Sequence, residues 1–246
     1  FELAGASSND FNGTDGSGVT GNGTSTLTVA NTANVTELVI NQSGGRASTQ
    51  ATFLDAADNV GQLDVSVSLN VSDSTVAQTG NLTLTGGLNI TNVQSITLNG
   101  NVTTSGNQTY GGLVTLTADA TLAGNAPTFA AGVAGGNNDL TLNFAATTAL
   151  DGSFANLANL TSVGPVALSG QIDSAGFQNY AAAATLSADT TLNATGNVSF
   201  GSTVDGGRQL NVQSGGAVNF FAALGGTTSL QGLNLASATF VTALAT

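Results

Sequence analysis

The side chains able to do chemistry in this 246-residue chain are carboxylates, hydroxyls and amides. It has no His and no Cys, and its only basic residues are Arg46 and Arg208. Nucleophilic triads, thiolate chemistry and imidazole–metal centres are excluded by residue type alone. Two carboxylate arrangements remain. Asp55 and Asp58 stand in FLDAADNVG, and paired carboxylates are the apparatus of glycoside hydrolysis. Enzymes of that kind surround their acids with basic and aromatic side chains, whereas this chain is only 5% aromatic. The pair reads as a solvated turn. Asp10, Asn12 and Asp15, in DFNGTDG, offer hard oxygen donors at near-alternate positions, as Ca²⁺ prefers. Their spacing fits no EF-hand loop, no Glu closes it, and no calcium-binding nonapeptide repeats. These three are the calcium candidates; no other metal and no cofactor is expected.

The amides form a second pattern. Asn-x-Ser/Thr triplets begin at Asn12, Asn22, Asn34, Asn41, Asn70, Asn81, Asn89, Asn101, Asn107, Asn159, Asn193 and Asn197. They are more frequent than this composition gives by chance. Such a triplet is an acceptor for N-linked glycan in a compartment that holds the enzyme. It is also what a strand with a polar outer face writes.

The elements that position these groups are announced by a duplication. QSITLNGNVTTSGNQTYGGLVTLTADATL (94–122) is repeated 70 positions on as GPVALSGQIDSAGFQNYAAAATLSADTTL (164–192). The shared residues include Gly106/Gly176, Gln108/Gln178, Tyr110/Tyr180, Leu116/Leu186, Asp119/Asp189 and Leu122/Leu192. Fixed-period self-similarity is the mark of stacked supersecondary units. Asp119 and Asp189 suit a turn in which the carboxylate accepts a backbone N–H. Tyr110 and Tyr180 read as packing at a coil edge rather than as a platform for a sugar ring.

Composition bounds the rest. The chain has 33 Gly, two Pro, 41% hydrophobic residues and 7% charged residues. Disordered chains pair low hydrophobicity with high charge, which is the opposite. The formal net charge of −12 leaves two cations to neutralise phosphates, so nucleic acid is excluded as a partner. An anionic membrane surface is disfavoured for the same reason. No apolar run approaches the roughly 20 residues of a spanning helix, and no membrane insertion is expected. With so few Arg and no Lys, trypsin has almost no sites.

Short β-branched or alternating runs recur along the chain, for example LDVSVSLNV (63–71), Leu140–Phe144 and Leu210–Val212, broken by Gly, Asn, Asp or Ser. The Ala-rich stretch 181–184 aligns with Gly-Gly-Leu-Val in the first copy, so it reads as turn and strand. The runs are too short for a hairpin sandwich. They predict an all-β, right-handed parallel β-helix of about ten coils, each near 23 residues, with Leu, Val, Ile and Phe inward and Gly at corners. The expected organisation is an irregular leader, cap or connector over 1–25 and a β-helix over 26–246, with the repeat at 94–163 and 164–233.

NGNVTTSGNQTYGGLVTLTADATL (99–122) and SGQIDSAGFQNYAAAATLSADTTL (169–192) resemble the repeats of filamentous-haemagglutinin-like large exoproteins and related bacterial surface adhesins. The resemblance covers residues 94–246. It implies a secreted or surface-bound β-helical shaft acting in adhesion, biofilm or contact-dependent systems. The secretion domain of such proteins carries an Asn-Pro-Asn-type motif, which this chain lacks, so the resemblance places it in the shaft.

The expectation is a structural, non-enzymatic extracellular or cell-surface β-helix, part of an adhesin or fibre. Its partners would be itself, end to end or side by side, and host or matrix glycans or proteins. The alternatives are a subunit that polymerises end to end into a filament, and a carbohydrate-active β-helix enzyme with clustered acids and aromatics in a groove.

Overall fold

Alternation with period two forces every second side chain of a strand to one face. In Leu88–Thr91, Ser95–Asn99 and Leu140–Phe144 the buried positions are the apolar ones, and Asn or Thr lies between them. Where the chain returns after about 20 residues and pairs in parallel, those inward side chains stack and the backbone bonds are met turn to turn.

The computed structural model describes residues 74–236 throughout. Outside that run it describes the strands Glu2–Gly5, Val19–Thr20, Thr26–Val29, Leu38–Gln42, Thr49–Ala56, Leu63–Val67 and Phe240–Ala243. The protein is all-β, a right-handed parallel β-helix of about eight turns. Two compact units divide it, Phe1–Ala120 with Pro127–Ala131, and Thr121–Ala126 with Gly132–Thr246.

In the first unit one column of parallel strands runs Leu38–Gln42, Leu63–Val67, Leu88–Thr91, Gln108–Tyr110 and Pro127–Phe129. A second column runs Thr49–Ala56, Ser74–Leu84, Ser95–Asn99 and Leu113–Leu116. Within the segment expected to be a leader, Glu2–Gly5 pairs antiparallel with both Thr26–Val29 and Thr49–Ala56. Val19–Thr20 also pairs antiparallel with Thr26–Val29. The count is about eight turns rather than the expected ten.

In the second unit, Thr148–Leu150, Val166–Ser174, Ala184–Ala194, Gln209–Ser214 and Gly232–Ala236 pair in succession. A further column runs Leu140–Phe144, Leu160–Ser162, Gln178–Tyr180, Val198–Phe200, Ala217–Phe220 and Phe240–Ala243. The Ala-rich stretch closes a turn at 181–183 and starts a strand at Ala184.

Turn length differs from the expected 23. Val166 lies over Ala184, a step of 18 residues, and Gln178 over Val198, a step of 20. In the first unit Leu38 lies over Leu63, a step of 25. A 70-residue repeat is therefore no whole number of turns. It copies a succession of strands, and its residues stack on neighbours that are not their repeat equivalents. Tyr180 stacks on Phe200 (centroids 5.1 Å apart) and Phe200 on Phe220 (5.2 Å).

Among the described residues the interior is mostly apolar. Ile96, Val114, Leu150, Leu168, Leu192, Leu210 and Val218 are fully buried, each contributing roughly 1.5–3 kcal/mol. Corners hold glycine by close approach: Gly106 N–H donates to Gly86 O (2.7 Å), and Gly196 N–H to Gly176 O (2.9 Å). Left-handed corners also use Asn92, Asn137 and Asn156, as that side chain tolerates the conformation.

Candidate functional site

The duplicated residues converge on a buried polar latch. The side chains of Gln108 and Tyr110 point the same way from one short strand. Tyr110 OH donates to Gln108 Oε1 (2.7 Å), and Gln108 Nε2 donates to Val102 O (3.3 Å) and Thr104 Oγ1 (3.2 Å). The second copy rebuilds it. Tyr180 OH donates to Gln178 Oε1 (3.0 Å), and Gln178 Nε2 to Ile172 O (3.0 Å) and Asn193 O (2.9 Å). Thr104 Oγ1 donates to Gly106 O (2.8 Å) and Ser174 Oγ to Gly176 O (3.3 Å), which completes the parallel. Burial drives both phenol pKa values far above their ordinary 10.0. The tyrosines are therefore interior, not at a coil edge, and no sugar can reach their faces. Polar groups tolerate this site only because each finds a partner. Identity in both copies marks Gln108 and Gln178 in the sequence but gives them no role there; the latch supplies it. Leu116, Leu122, Leu186 and Leu192 are buried in the core.

Several of the described carboxylates take part in turn-to-turn bonding. Asp189 accepts Gln209 N–H from the next turn (3.0 Å); it lies within the strand Ala184–Ala194 and not in a local turn. Asp205 accepts the N–H groups of Thr227 (2.7 Å) and Thr228 (3.1 Å), and these bonds hold its carboxyl below the ordinary 3.8. Asp139 accepts Asn159 Nδ2 (2.7 Å), and Asp173 accepts Asn193 Nδ2 (2.7 Å) and Gln171 Nε2 (3.0 Å). Asp119 is exposed and also engaged. Among the described residues no three acids gather where a metal could be held. The calcium candidates Asp10, Asn12 and Asp15 lie outside the described residues, as does Asp58; Asp55 lies in the strand Thr49–Ala56 rather than a loop.

The first unit carries a shallow groove of about 440 Å³ at a corner, lined by Gly86, Gly87, Asn89, Gly106, Asn107 and Thr109 among others. Its walls offer amides, hydroxyls, backbone and Leu88, with no acid and no aromatic ring. General acid–base work has no group to use there. The chain matches no family model, no curated protein and no solved structure.

Proposed function

We propose that this chain is a structural, non-enzymatic β-helix that serves outside the cell, as part of a surface adhesin or extracellular fibre. The observation that carries the reading is the use made of the duplicated residues. Gln178 donates to Asn193 O, Tyr180 stacks on Phe200, Gly176 O accepts Gly196 N–H and Asp189 accepts Gln209 N–H, each from one turn to the next, and in the first copy Tyr110 stacks on Phe129 and Gly106 N–H donates to Gly86 O. Duplication of stacking parts lengthens a scaffold; duplication of a site would have kept an exposed cluster. The resemblance to adhesin repeats over 94–246 supports the extracellular setting.

The experiment is surface labelling of intact producing cells, with fractionation, together with turnover assays on a glycan panel. Recovery of the chain at the surface without turnover is expected. A cytosolic chain would overturn the location, and glycan cleavage would bring back the carbohydrate-active alternative.

The filament-subunit reading has one observation of its own. Gly232–Ala236 pairs with Gln209–Ser214 along one edge, and among the described residues no strand pairs with its other edge. Leu233 is 42% exposed there, in line with the fully buried Leu210. Open parallel edges recruit further strands. Electron microscopy of the purified chain would show filaments that Leu233→Asp abolishes; monodisperse particles at all concentrations would dismiss this version.

A further inference from the structure

The Asn-x-Ser/Thr triplets are not equivalent once placed on strands. In a strand the first and third residues of the triplet face the same side and the middle one faces the other. Asn81 and Thr83 are exposed about the buried Leu82; Asn197 is exposed and Ser199 half-exposed about the buried Val198. Both recognition groups therefore stand outward together, while the apolar residue anchors the backbone.

What separates the triplets is the amide nitrogen. Asn159 Nδ2 is committed to Asp139 and Asn193 Nδ2 to Asp173, each at 2.7 Å. These are charge-assisted bonds, stronger than neutral ones. At Asn81 and Asn197 the division of labour is different. Asn81 Oδ1 accepts the N–H of Asn101 (3.0 Å), and Asn197 Oδ1 accepts that of Ala217 (2.8 Å). The oxygen is the structural atom in both, fixing the side chain against the next turn. The exposed Nδ2 donates to no group among the described residues. A substituent on that nitrogen leaves the Oδ1 bond intact and projects into solvent.

We infer that Asn81 and Asn197 are N-glycosylation sites, whereas Asn159 and Asn193 are not. The donor class is a lipid-linked glycosyl pyrophosphate. Nδ2 forms a bond to C1 of the sugar, the C1–O bond breaks, and the lipid pyrophosphate leaves with the electron pair. One Nδ2 proton passes to the transferase's base. A glycan at each position would cover the outer face of its turn. The inference rests on export, which the proposed function also requires.

The test is mass spectrometry of the chain purified from its producing cells, with peptides generated by a protease that does not depend on Lys or Arg. Glycan mass at Asn81 and Asn197, with Asn159 and Asn193 bare, is expected. Thr83→Ala and Ser199→Ala keep each Asn and its Oδ1 bond but remove the triplet's hydroxyl. Each should abolish the glycan at its own site with the far-ultraviolet spectrum unchanged. A surface-located chain with the mass of its sequence overturns the glycosylation inference alone. A cytosolic chain overturns the proposed location as well. Equal occupancy at Asn159 or Asn193 refutes the role given to the amide nitrogen.

Discussion

The hydroxyl of Tyr180 donates to the side-chain oxygen of Gln178 at 3.0 Å, and both residues are wholly buried two positions apart on one strand. Gln178 passes its two N–H bonds to Ile172 O and Asn193 O, so the pair closes a partnered network that reaches into the next turn. Losing one member strands its partner, at a cost of about 1–3 kcal/mol for each orphaned group. Tyr180→Phe should destabilise by about 1 kcal/mol. Gln178→Ala should cost about 2–4 kcal/mol, since it also leaves a cavity. The double change Gln178→Ala with Tyr180→Phe should cost less than the single changes added together, with a coupling above about 0.5 kcal/mol. Urea unfolding of the four proteins measures this; strict additivity would mean the two side chains do not act as one network.

The same burial sets an alkaline limit. The chain has two tyrosines, Tyr110 and Tyr180, and both have pKa values raised by desolvation from 10.0. The folded state keeps the phenols protonated where the unfolded state releases protons. Their contribution is therefore complete below about pH 10 and is lost as pH rises above it. Ultraviolet phenolate absorbance should stay flat above pH 10 and then rise in one step with loss of the far-ultraviolet β signal. A smooth titration near 10 in the folded chain would show that the phenols reach water.

Close approach at the corners makes a sharper claim about one glycine. A Cβ on Gly176 would overlap Asn159 Oδ1 and come within 3.0 Å of Ala158 O. Asn159 cannot yield easily, because it donates to Asp139 and accepts Phe177 N–H. Gly176→Ala should cost about 1–3 kcal/mol by overpacking. At Gly207 the nearest atom to an added Cβ is Thr228 Cγ2, 3.9 Å away. Gly207→Ala should lie within about 0.5 kcal/mol of the parent, or gain slightly through the unfolded state. Thermal melts of both variants decide the matter, and equal losses would contradict it.

The fold class was legible because alternation and β-branched runs act locally, strand by strand, from Leu63–Val67 to Ala217–Phe220. The turn length was not, because the eye-catching 70-residue identity masks a shorter stacking step. The step is written faintly in GFQNY (176–180), GNVSF (196–200) and GAVNF (216–220), which recur every 20 residues. Only the aromatic, the glycine and an inward polar or β-branched residue must persist there; the outward positions are free to drift. The latch was half legible: Gln178 is identical in both copies, but nothing local says that a glutamine turns inward. Its partner carbonyls come from Ile172 and Asn193, and the latter belongs to the next turn. The roles of Asp189 and Asn197 were hidden likewise, since each is defined by a backbone N–H 20 residues away.

The aromatic column separates interior from surface phenylalanines on one strand end. Phe200 lies between Tyr180 and Phe220, with interplanar angles of 18° and 2° and no exposed area. Phe221, the residue after Phe220, faces out and is 50% exposed. Phe200→Ala would empty the middle of a three-ring stack that belongs to three successive turns. Its cost should be about 3–5 kcal/mol, part of it the lost ring pairing of about 0.5–1.5 kcal/mol per contact. Phe221→Ala should change stability by no more than about 0.5 kcal/mol. Phe200→Leu, which keeps apolar volume without a ring, should fall between the two. Chemical denaturation of the three variants supplies the values. If Phe221→Ala proved as damaging as Phe200→Ala, the inward and outward assignment of this strand would be reversed.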